Sequence, residues 1–202
     1  MTCIDKIGIE KEFWLLDDNG VIQEPAIYGF PYDEFGFLIE LRTAPHTNIE
    51  DILADFNQRF RVLEVRAMMY GFVLSDKPSM PKQKGLVEYL VPKYHHDELP
   101  DLTANINTGV ISSHATGVFE GYLTAGMHIH FSRHNESGRR VQLPIEIIVR
   151  KMDWNFRSII MKANRILGEY EIKHHGFEYR SLPATAPLEK VVEEALKILD
   201  EV

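Results

Sequence analysis

Four short segments of this chain each carry two polar, chemically capable side chains one residue apart. The pairs are Glu10/Glu12, Glu40/Arg42, His128/His130 and Glu178/Arg180. The flanking residues predict β-strands, whose side chains alternate between faces, so each pair lies on one face with about 6.5–7 Å between its members along the chain. If the four faces converge, carboxylates, imidazoles and guanidiniums meet at one cavity. Such a set suits hard divalent metals and phosphate groups.

The Glu10/Glu12 pair favours a metal site. Two carboxylates held close together in a partly buried sheet repel each other unless a cation lies between them. Glutamate is also a poor strand former, so two of them in one strand need a reason. The alternative is that both side chains face water and bind nothing.

His128 and His130 are either metal ligands or partners of phosphate and carboxylate groups. Satisfied structural histidines are at least as common for an isolated H-x-H strand. A zinc site needs three or four nitrogen or sulfur ligands, and no cysteine is near. Carboxylates with one imidazole instead indicate magnesium or manganese.

The two E-x-R strands have an ordinary alternative, because cross-strand ion pairs on a solvated sheet face have the same pattern. Together with the E-x-E strand, however, they place four glutamates and only two arginines in one site. The excess negative charge favours a bound divalent ion. Arginine in such a site can hold a phosphate through two parallel hydrogen bonds and stabilise developing charge.

Composition and charge limit the classes of partner. The 202 residues are 45% hydrophobic and 26% charged, which is ordinary for a globular protein, and we expect one domain over residues 1–202. The net charge of −8 disfavours a nucleic-acid partner, since a phosphate backbone is held by clustered lysine and arginine. The sequence shows neither a signal-peptide core nor an apolar run of membrane length, so we expect a cytoplasmic location and no membrane partner.

The order of the predicted elements indicates an α+β fold, with a mainly antiparallel sheet and helices on its other side. Strands are predicted at 6–16, 21–27, 36–43, 72–74 and 177–182, with three more between 106 and 133. The first two form a hairpin across the turn Asp17–Gly20. Helices are predicted from Thr47 to Gly71, from Pro144 to about Gly168, and after Pro187.

Taken in order, the motifs resemble those of the glutamine synthetase/glutamate–cysteine ligase superfamily of carboxylate–amine ligases, and most of all its compact phage-type members. The segments that carry the resemblance are GIEKEFWLLD at 8–17, LIELRTAPH at 38–46, AGMHIHFSR at 125–133 and FEYRSLPAT at 177–185. In that superfamily an E-x-E strand, a G-x-H-x-H strand and an E-x-R strand recur in this order. The resemblance covers most of the chain.

The resemblance implies a glutamine synthetase-like catalytic domain, in which a curved half-barrel sheet lines the active site. It implies two or more magnesium or manganese ions, one held by Glu12 and Glu40 and a second by Glu10, His128 and Glu178. It also implies ATP near His130 and Ser132, and Arg180 at the transferring phosphoryl group. Arg42 would bind ATP or the substrate carboxylate.

The implied activity is ATP-dependent formation of an amide or peptide bond between a carboxylate and an amine, through an acyl phosphate, with release of ADP and phosphate. Arg180, Glu178 and His130 are the expected catalytic residues. The chain is shorter than the larger family members, so part of the substrate pocket is either missing or supplied by another copy in a homo-oligomer. A phage-encoded protein would work in the host cytoplasm. Two alternatives stay open: a metal-dependent hydrolase or phosphatase, and a non-catalytic binding barrel with internal ion pairs.

Overall fold

A mainly antiparallel sheet with helices on one face forms the framework of the protein. The structure, a computed structural model, describes residues 3–33, 36–83, 85–86, 89–90, 93, 102–109, 111–113, 118–119 and 122–202. The helices are α1 (Ile49–Met69), α2 (Ile145–Lys162) and α3 (Leu188–Asp200). The strands are β1 (Cys3–Leu16), β2 (Ile39–Arg42), β3 (Val73–Ser75), β4 (Ser79–Pro81), β5 (Leu102–Asn105), β6 (Ile111–Ser113), β7 (Val118–Phe119), β8 (Tyr122–Thr124), β9 (Gly126–Asn135), β10 (Glu169–Lys173) and β11 (Gly176–Pro183).

The main sheet has the strand order β2-β1-β9-β11-β10-β5-β6, and β3 pairs with the end of β1. All of these pairings are antiparallel. Strands β4, β8 and β7 form a second, smaller sheet. The long strand β9 therefore lies between β1 and β11, although these two strands are about 160 residues apart in the sequence. This order places the E-x-E, H-x-H and E-x-R motifs on neighbouring strands.

The two faces of β1 differ in chemistry because its side chains alternate. Ile7, Ile9, Phe13 and Leu15 are buried in one large core, whereas Glu10 lies on the opposite face. The core also contains Ile129, Phe131, Phe177 and Tyr179 from the neighbouring strands and buried residues from all three helices. The helices therefore cover one face of the sheet, and the polar pairs are left on the other.

Helix boundaries follow local sequence signals. The Asn48 side chain caps α1 by accepting a hydrogen bond of 2.9 Å from the Asp51 amide. Helix α3 buries Val191, Val192, Ala195, Ile198 and Leu199, which recur at helical spacing. Helix α2 ends at Lys162, short of the predicted Gly168, and Asn164 then adopts a left-handed conformation with φ of 54°. Such a backbone conformation cannot continue a right-handed helix.

The structure confirms the α+β class and the mainly antiparallel sheet. In the described part of the chain the sheet is not closed into a barrel. The predicted strands around 6–16, 36–43, 72–74 and 177–182 and the helix after Pro187 are present, with bounds that shift by up to three residues. Among the described residues, no helix combines the length and the apolar character needed to cross a membrane.

The predicted strand over 21–27 was wrong. Asp17 closes the turn by accepting hydrogen bonds from the amides of Asn19 and Val21, but only an isolated bridge, Leu16 with Ile22, follows it. Pro25 then begins a 3-10 helix, Pro25–Tyr28. Proline lacks the amide hydrogen that a strand ladder requires, which explains why the hairpin stops there.

Three strands lie where the sequence predicts none. The short β4 and β5 fall within the proline-rich segment after Ser75, and β10 lies between α2 and β11. Strand β10 matters for the site because it pairs with β11 along its length.

Candidate functional site

Three adjacent strands bring the first, third and fourth polar motifs together. In the register of the sheet, Glu10 of β1 lies opposite His128 of β9, and His130 of β9 lies opposite Glu178 of β11. Opposite residues in an antiparallel pair are only about 4.5–5.5 Å apart at Cβ, so their side chains meet. The sequence spacing put each pair on one face, and the strand order gathers the pairs.

His128 joins the two flanking carboxylates. Its Nδ1 atom lies 2.9 Å from Glu10 Oε1 and 2.9 Å from Glu178 Oε1. At most 5% of each of these three side chains is exposed. His130 Nε2 lies 3.3 Å from the other oxygen of Glu10. The site thus has a buried centre of two acids and one imidazole.

The edge strand β2 adds a third acid and a base. Arg42 contacts Glu10 Oε2 at 2.8 Å through Nε and Glu40 Oε2 at 2.6 Å through Nη2. The Glu40 side chain is mostly buried, whereas two-thirds of the Arg42 side chain is exposed. Arg42 therefore covers the two acids from the solvent side.

Strand β10 supplies two site residues that the sequence analysis did not single out, Glu171 and Lys173. Glu171 is directly opposite Glu178 in the sheet. Lys173 contacts Glu171 Oε1 and lies 3.3 Å from Glu178 Oε2. Arg180 Nη1 lies 2.8 Å from Glu171 Oε2 and 3.0 Å from Glu178 Oε1. The sequence does contain the relevant pattern, because Glu171 and Lys173 have the same one-residue spacing as the other pairs. They were missed because no strand was predicted there.

Glu12 and Ser132 lie on the same sheet face but have other partners. The Glu12 carboxylate accepts a hydrogen bond from the Gly126 amide. Although Glu12 is opposite Glu40 in the register, the Glu40 carboxylate contacts Arg42 instead. The Ser132 hydroxyl donates to the Lys6 carbonyl at 3.4 Å. No contact among the described residues joins Glu12 or Ser132 to the buried centre.

Gly126 leaves room for the close approach of two site groups. A Cβ atom at this position would lie 2.9 Å from His128 Nε2 and 3.0 Å from Arg165 Nη2. Arg165 is itself fixed by the carbonyl oxygens of Arg180 and Ser181, to which it donates at 2.7 and 3.2 Å. The glycine that precedes the H-x-H pair thus makes room for the second nitrogen of His128.

Glu10 and Glu40 have opposite protonation preferences. Burial, together with a hydrogen bond that Glu40 donates to Glu10 and the negative charge of Glu10, raises the pKa of Glu40 to about 10. Burial opposes ionisation of Glu10 too, but hydrogen bonds from His128 and His130 hold the pKa of Glu10 well below its ordinary value. At neutral pH Glu40 is therefore a neutral acid beside an ionised Glu10.

His128 is a charged imidazole at neutral pH. Burial and the nearby Arg180 charge both oppose protonation, but hydrogen bonds with Glu10 and Glu178 raise the pKa of His128 to about 9. Burial likewise works against ionisation of Glu178, yet the hydrogen bond and charge of His128, and the charge of Arg180, lower the pKa of Glu178. The buried centre is thus an imidazolium between two carboxylates.

The donor set fits a hard divalent cation. Glu10, His130 and Glu178 each offer one ligand atom, and these atoms all lie within 4.8 Å of one another. Carboxylate oxygens with one imidazole nitrogen suit magnesium or manganese better than zinc. The imidazole of this trio belongs to His130 rather than His128, because His128 Nδ1 is already committed to both acids. Each of the two carboxylates also has basic partners, so an ion-pair network is the competing interpretation.

The charges are layered by depth. The floor of the site, which is almost completely buried, is formed mainly by acids: Glu10, Glu171 and Glu178. The rim, whose side chains are 66%, 22% and 23% exposed, is formed by bases: Arg42, His130 and Lys173. A ligand that arrives from solvent therefore meets nitrogen groups first and carboxylates behind them. This order suits an anionic ligand with a cation beneath it.

His175 extends the rim from the turn between β10 and β11. Its Nε2 atom lies 3.3 Å from His130 Nδ1. Burial, together with the charges of His130 and His174, lowers the pKa of His175 to about 4. His175 is therefore neutral at physiological pH, and its contact with His130 fixes the orientation of that ring.

Sequence comparisons add no family to this geometry. No protein-family model matches the chain, and no curated protein matches it significantly. The interpretation of the site therefore depends on its residues, their contacts and the order of the motifs.

Proposed function

We propose that this chain is an ATP-dependent carboxylate–amine ligase with a glutamine synthetase-like catalytic sheet. The observation that carries the proposal is the meeting of Glu10, His130 and Glu178 from three adjacent strands, within 4.8 Å of one another. The layered charge of floor and rim supports it, because phosphoryl transfer from ATP needs both a divalent cation and basic groups around the phosphates. We also propose a cytoplasmic location, where ATP is abundant.

The proposed reaction has two steps. An oxygen of the substrate carboxylate attacks the γ-phosphorus of ATP, the bond to the bridging oxygen breaks, and ADP leaves. The product is an acyl phosphate. The nitrogen of the amine then attacks the acyl carbon, the carbon–oxygen bond to phosphate breaks, and the amine loses a proton to a base. The sum is one amide, one ADP and one inorganic phosphate, and phosphorylation is what turns a carboxylate oxygen into a leaving group.

The residues take roles that follow from their positions. Glu10, Glu178 and His130 would hold magnesium or manganese, which neutralises charge on the phosphates. His128 orients the two glutamates from beneath. Arg180 would face the transferring phosphoryl group and Arg42 either ATP or the substrate carboxylate. A second ion held by Glu12 and Glu40, and a nucleotide contact by Ser132, stay predictions.

The ion-pair network is the second candidate, because every carboxylate of the buried centre already has a basic partner. In that case the residues stabilise the sheet and catalyse nothing. Isolated pairs of this kind often contribute little to stability when compared with apolar residues of similar volume. A buried network of Glu10, Glu171, Glu178 and their basic partners is therefore a costly way to join adjacent strands, which favours a functional site.

An assay of ADP release tests the proposal. The protein, with magnesium and ATP, is given a panel of carboxylates and amines, singly and together. We expect ADP formation that depends on a carboxylate and is accelerated by an amine, and we expect Glu178→Gln to abolish it. Glu189→Gln, an exposed substitution in the first turn of α3, is the control. Release of phosphate from a simple phosphoester without nucleotide would instead indicate a hydrolase. If the protein releases neither ADP nor phosphate and does not bind manganese, the site is an ion-pair network without catalytic function.

A further inference from the structure

Two acids and two bases from β10 and β11 form a closed quartet that shares Glu178 with the buried centre. Glu171 and Glu178 lie opposite each other in the register, an arrangement in which like charges destabilise a sheet. Lys173 and Arg180 each bridge both acids. The quartet is electrically balanced, so its geometry is maintained without any ligand.

The positive members of the quartet are the ones nearer to solvent. Lys173 is 23% exposed and Arg180 13%, whereas Glu171 is 6% and Glu178 2% exposed. Glu171 therefore acts as a buried support that holds one base on each of its oxygens. An approaching ligand meets the ammonium group of Lys173 before it meets either carboxylate.

Arg180 has hydrogen-bonding capacity left over. Its Nη1 atom makes the contacts with both acids, but its Nε atom is buried and has no hydrogen-bond partner among the described residues. Leaving a charged donor unsatisfied in a buried place costs free energy. The Arg180 guanidinium thus keeps one donor that no acceptor among the described residues satisfies.

The turn after Lys173 is held in place from outside the sheet. Arg140 donates to the carbonyl oxygens of Lys173, His174 and Gly176 at 3.2–3.4 Å. A Cβ atom on Gly176 would lie 1.8 Å from the Phe131 carbonyl oxygen, so the start of β11 lies tightly against β9. The backbone that carries Lys173 is thus fixed, and its ammonium group is presented at a defined place.

We propose that Lys173 and Arg180, supported by Glu171, form an anion-binding pair whose ligand is the polyphosphate of a nucleotide. A lysine and an arginine on one support provide a point charge and a planar fork, which together match a chain of phosphates. The identity of the ligand as a nucleotide rests on the proposed function, whereas the anion-binding pair itself does not. Lys173 is a binding residue in this account and Glu171 a positioning residue.

Titration calorimetry with inorganic tripolyphosphate in magnesium buffer tests the pair. We expect Lys173→Met to weaken tripolyphosphate binding by at least about tenfold, the loss of one charge-assisted contact. Lys173→Arg should retain most of the affinity because the charge is kept. Lys151→Met is the matched control, since Lys151 forms its ion pair with Glu201 at the end of α3. This variant should bind tripolyphosphate with the affinity of the original protein.

A second variant guards against a folding defect. Lys173→Met leaves Glu171 and Glu178 facing each other without one cation, so Lys173→Met/Glu171→Gln removes an acid together with the base. The double variant should have an ordinary circular dichroism spectrum and still bind tripolyphosphate at least tenfold more weakly. Equal binding by the original protein and the double variant overturns the inference, as does no binding by the original protein.

The ligase assay separates this inference from the proposed function. Tripolyphosphate binding that depends on Lys173, in a protein that forms no ADP from any carboxylate and amine, would retain the anion-binding pair and reject the ligase. An active Lys173→Met variant with an unchanged KM for ATP would retain the ligase and reject the anion-binding pair.

Discussion

At the scale of single residues, His128 is the group on which the buried centre depends. Its charged imidazole contacts Glu10 and Glu178, which lie on its two flanking strands. Without it, two ionised carboxylates would face each other in a place from which water is almost excluded. A pair of like charges in such a place is expensive, and only a proton or another cation could replace the imidazolium.

We therefore expect His128→Asn to lower the free energy of unfolding by about 3–5 kcal/mol at pH 7, the usual cost of removing one partner of a buried ion pair. Glu10→Gln/His128→Asn/Glu178→Gln should recover much of this loss, because the two carboxylates that face each other in the single variant are then neutral amides. Urea unfolding in buffer with a metal chelator measures both. Equal stability of the single and triple variants would show that the three side chains are not coupled.

Glu40 gives a pH prediction with a definite sign. A carboxyl whose pKa rises from 4.5 to about 10 on folding binds its proton more tightly in the folded state, so its contribution favours folding at low pH and is lost as the pH rises from 4.5 toward 10. Glu40→Gln mimics the neutral acid at every pH. The free energy of unfolding of the variant should equal that of the original protein at pH 4 and should be greater by about 2 kcal/mol at pH 7.

Chemical denaturation between pH 4 and 9, with a chelator present, measures this difference. Glu189→Gln serves as the control, since Glu189 lies on an exposed part of α3. A difference between Glu40→Gln and the original protein that stays constant with pH would show that Glu40 is ionised in the folded state.

At the scale of elements, the sequence predicts which side chains lie on each face of a strand, but it does not predict which strands pair with each other. Alternation placed Glu10 and His128 on polar faces of their strands, and apolar residues such as Ile9 and Ile129 on the core side. Which strands pair is decided by packing over the whole chain, and spacing along one strand contains no such information. The family resemblance supplied the expectation that the motifs meet, and the strand order brings them side by side.

Other features of the site were outside the reach of local patterns. The direction of the Glu12 carboxylate depends on the Gly126 amide, 114 residues away. Glu171 and Lys173 were missed although their spacing matched and the preceding helix was predicted to end near Gly168, because no strand was predicted between that helix and the strand at 177–182. The hairpin prediction was wrong because Pro25, which begins a 3-10 helix, lacks the amide hydrogen that a second strand would need.

Two glycines, one on each of the strands that flank β9, test how tightly the site elements pack. A Cβ on Gly176 would lie 1.8 Å from the Phe131 carbonyl oxygen, whereas a Cβ on Gly8 would meet nothing closer than 3.8 Å. Gly176→Ala should therefore disrupt the pairing of β9 with β11 and cost more than about 3 kcal/mol, a value in the large tail for single substitutions.

Gly8→Ala is the matched control and should change the stability by less than about 1 kcal/mol, since ordinary van der Waals contacts accept the methyl group. Thermal unfolding followed by circular dichroism measures both variants. Similar melting temperatures for Gly8→Ala and Gly176→Ala would show that β11 does not approach β9 as closely as the structure has it.

At the scale of the whole molecule, the sheet divides the protein into a structural side and a chemical side. The helices bury apolar side chains against one face, and the opposite face holds acids beneath a partly exposed basic rim. A protein that needed only stability could fill this second face with apolar residues, as it does near Trp14, Phe37 and Leu123. Retaining a buried charged centre makes sense when the charges meet a ligand.

Crystals of the protein grown with manganese and a non-hydrolysable ATP analogue provide the most direct test, because anomalous scattering locates the ion without reference to any assay. We predict a manganese ion within ligand distance of Glu10, His130 and Glu178, with the phosphates of the analogue against Lys173 and Arg180. An empty site at saturating manganese, with Glu10 still paired to Arg42 and Glu178 still paired to Lys173 and Arg180, would contradict the account.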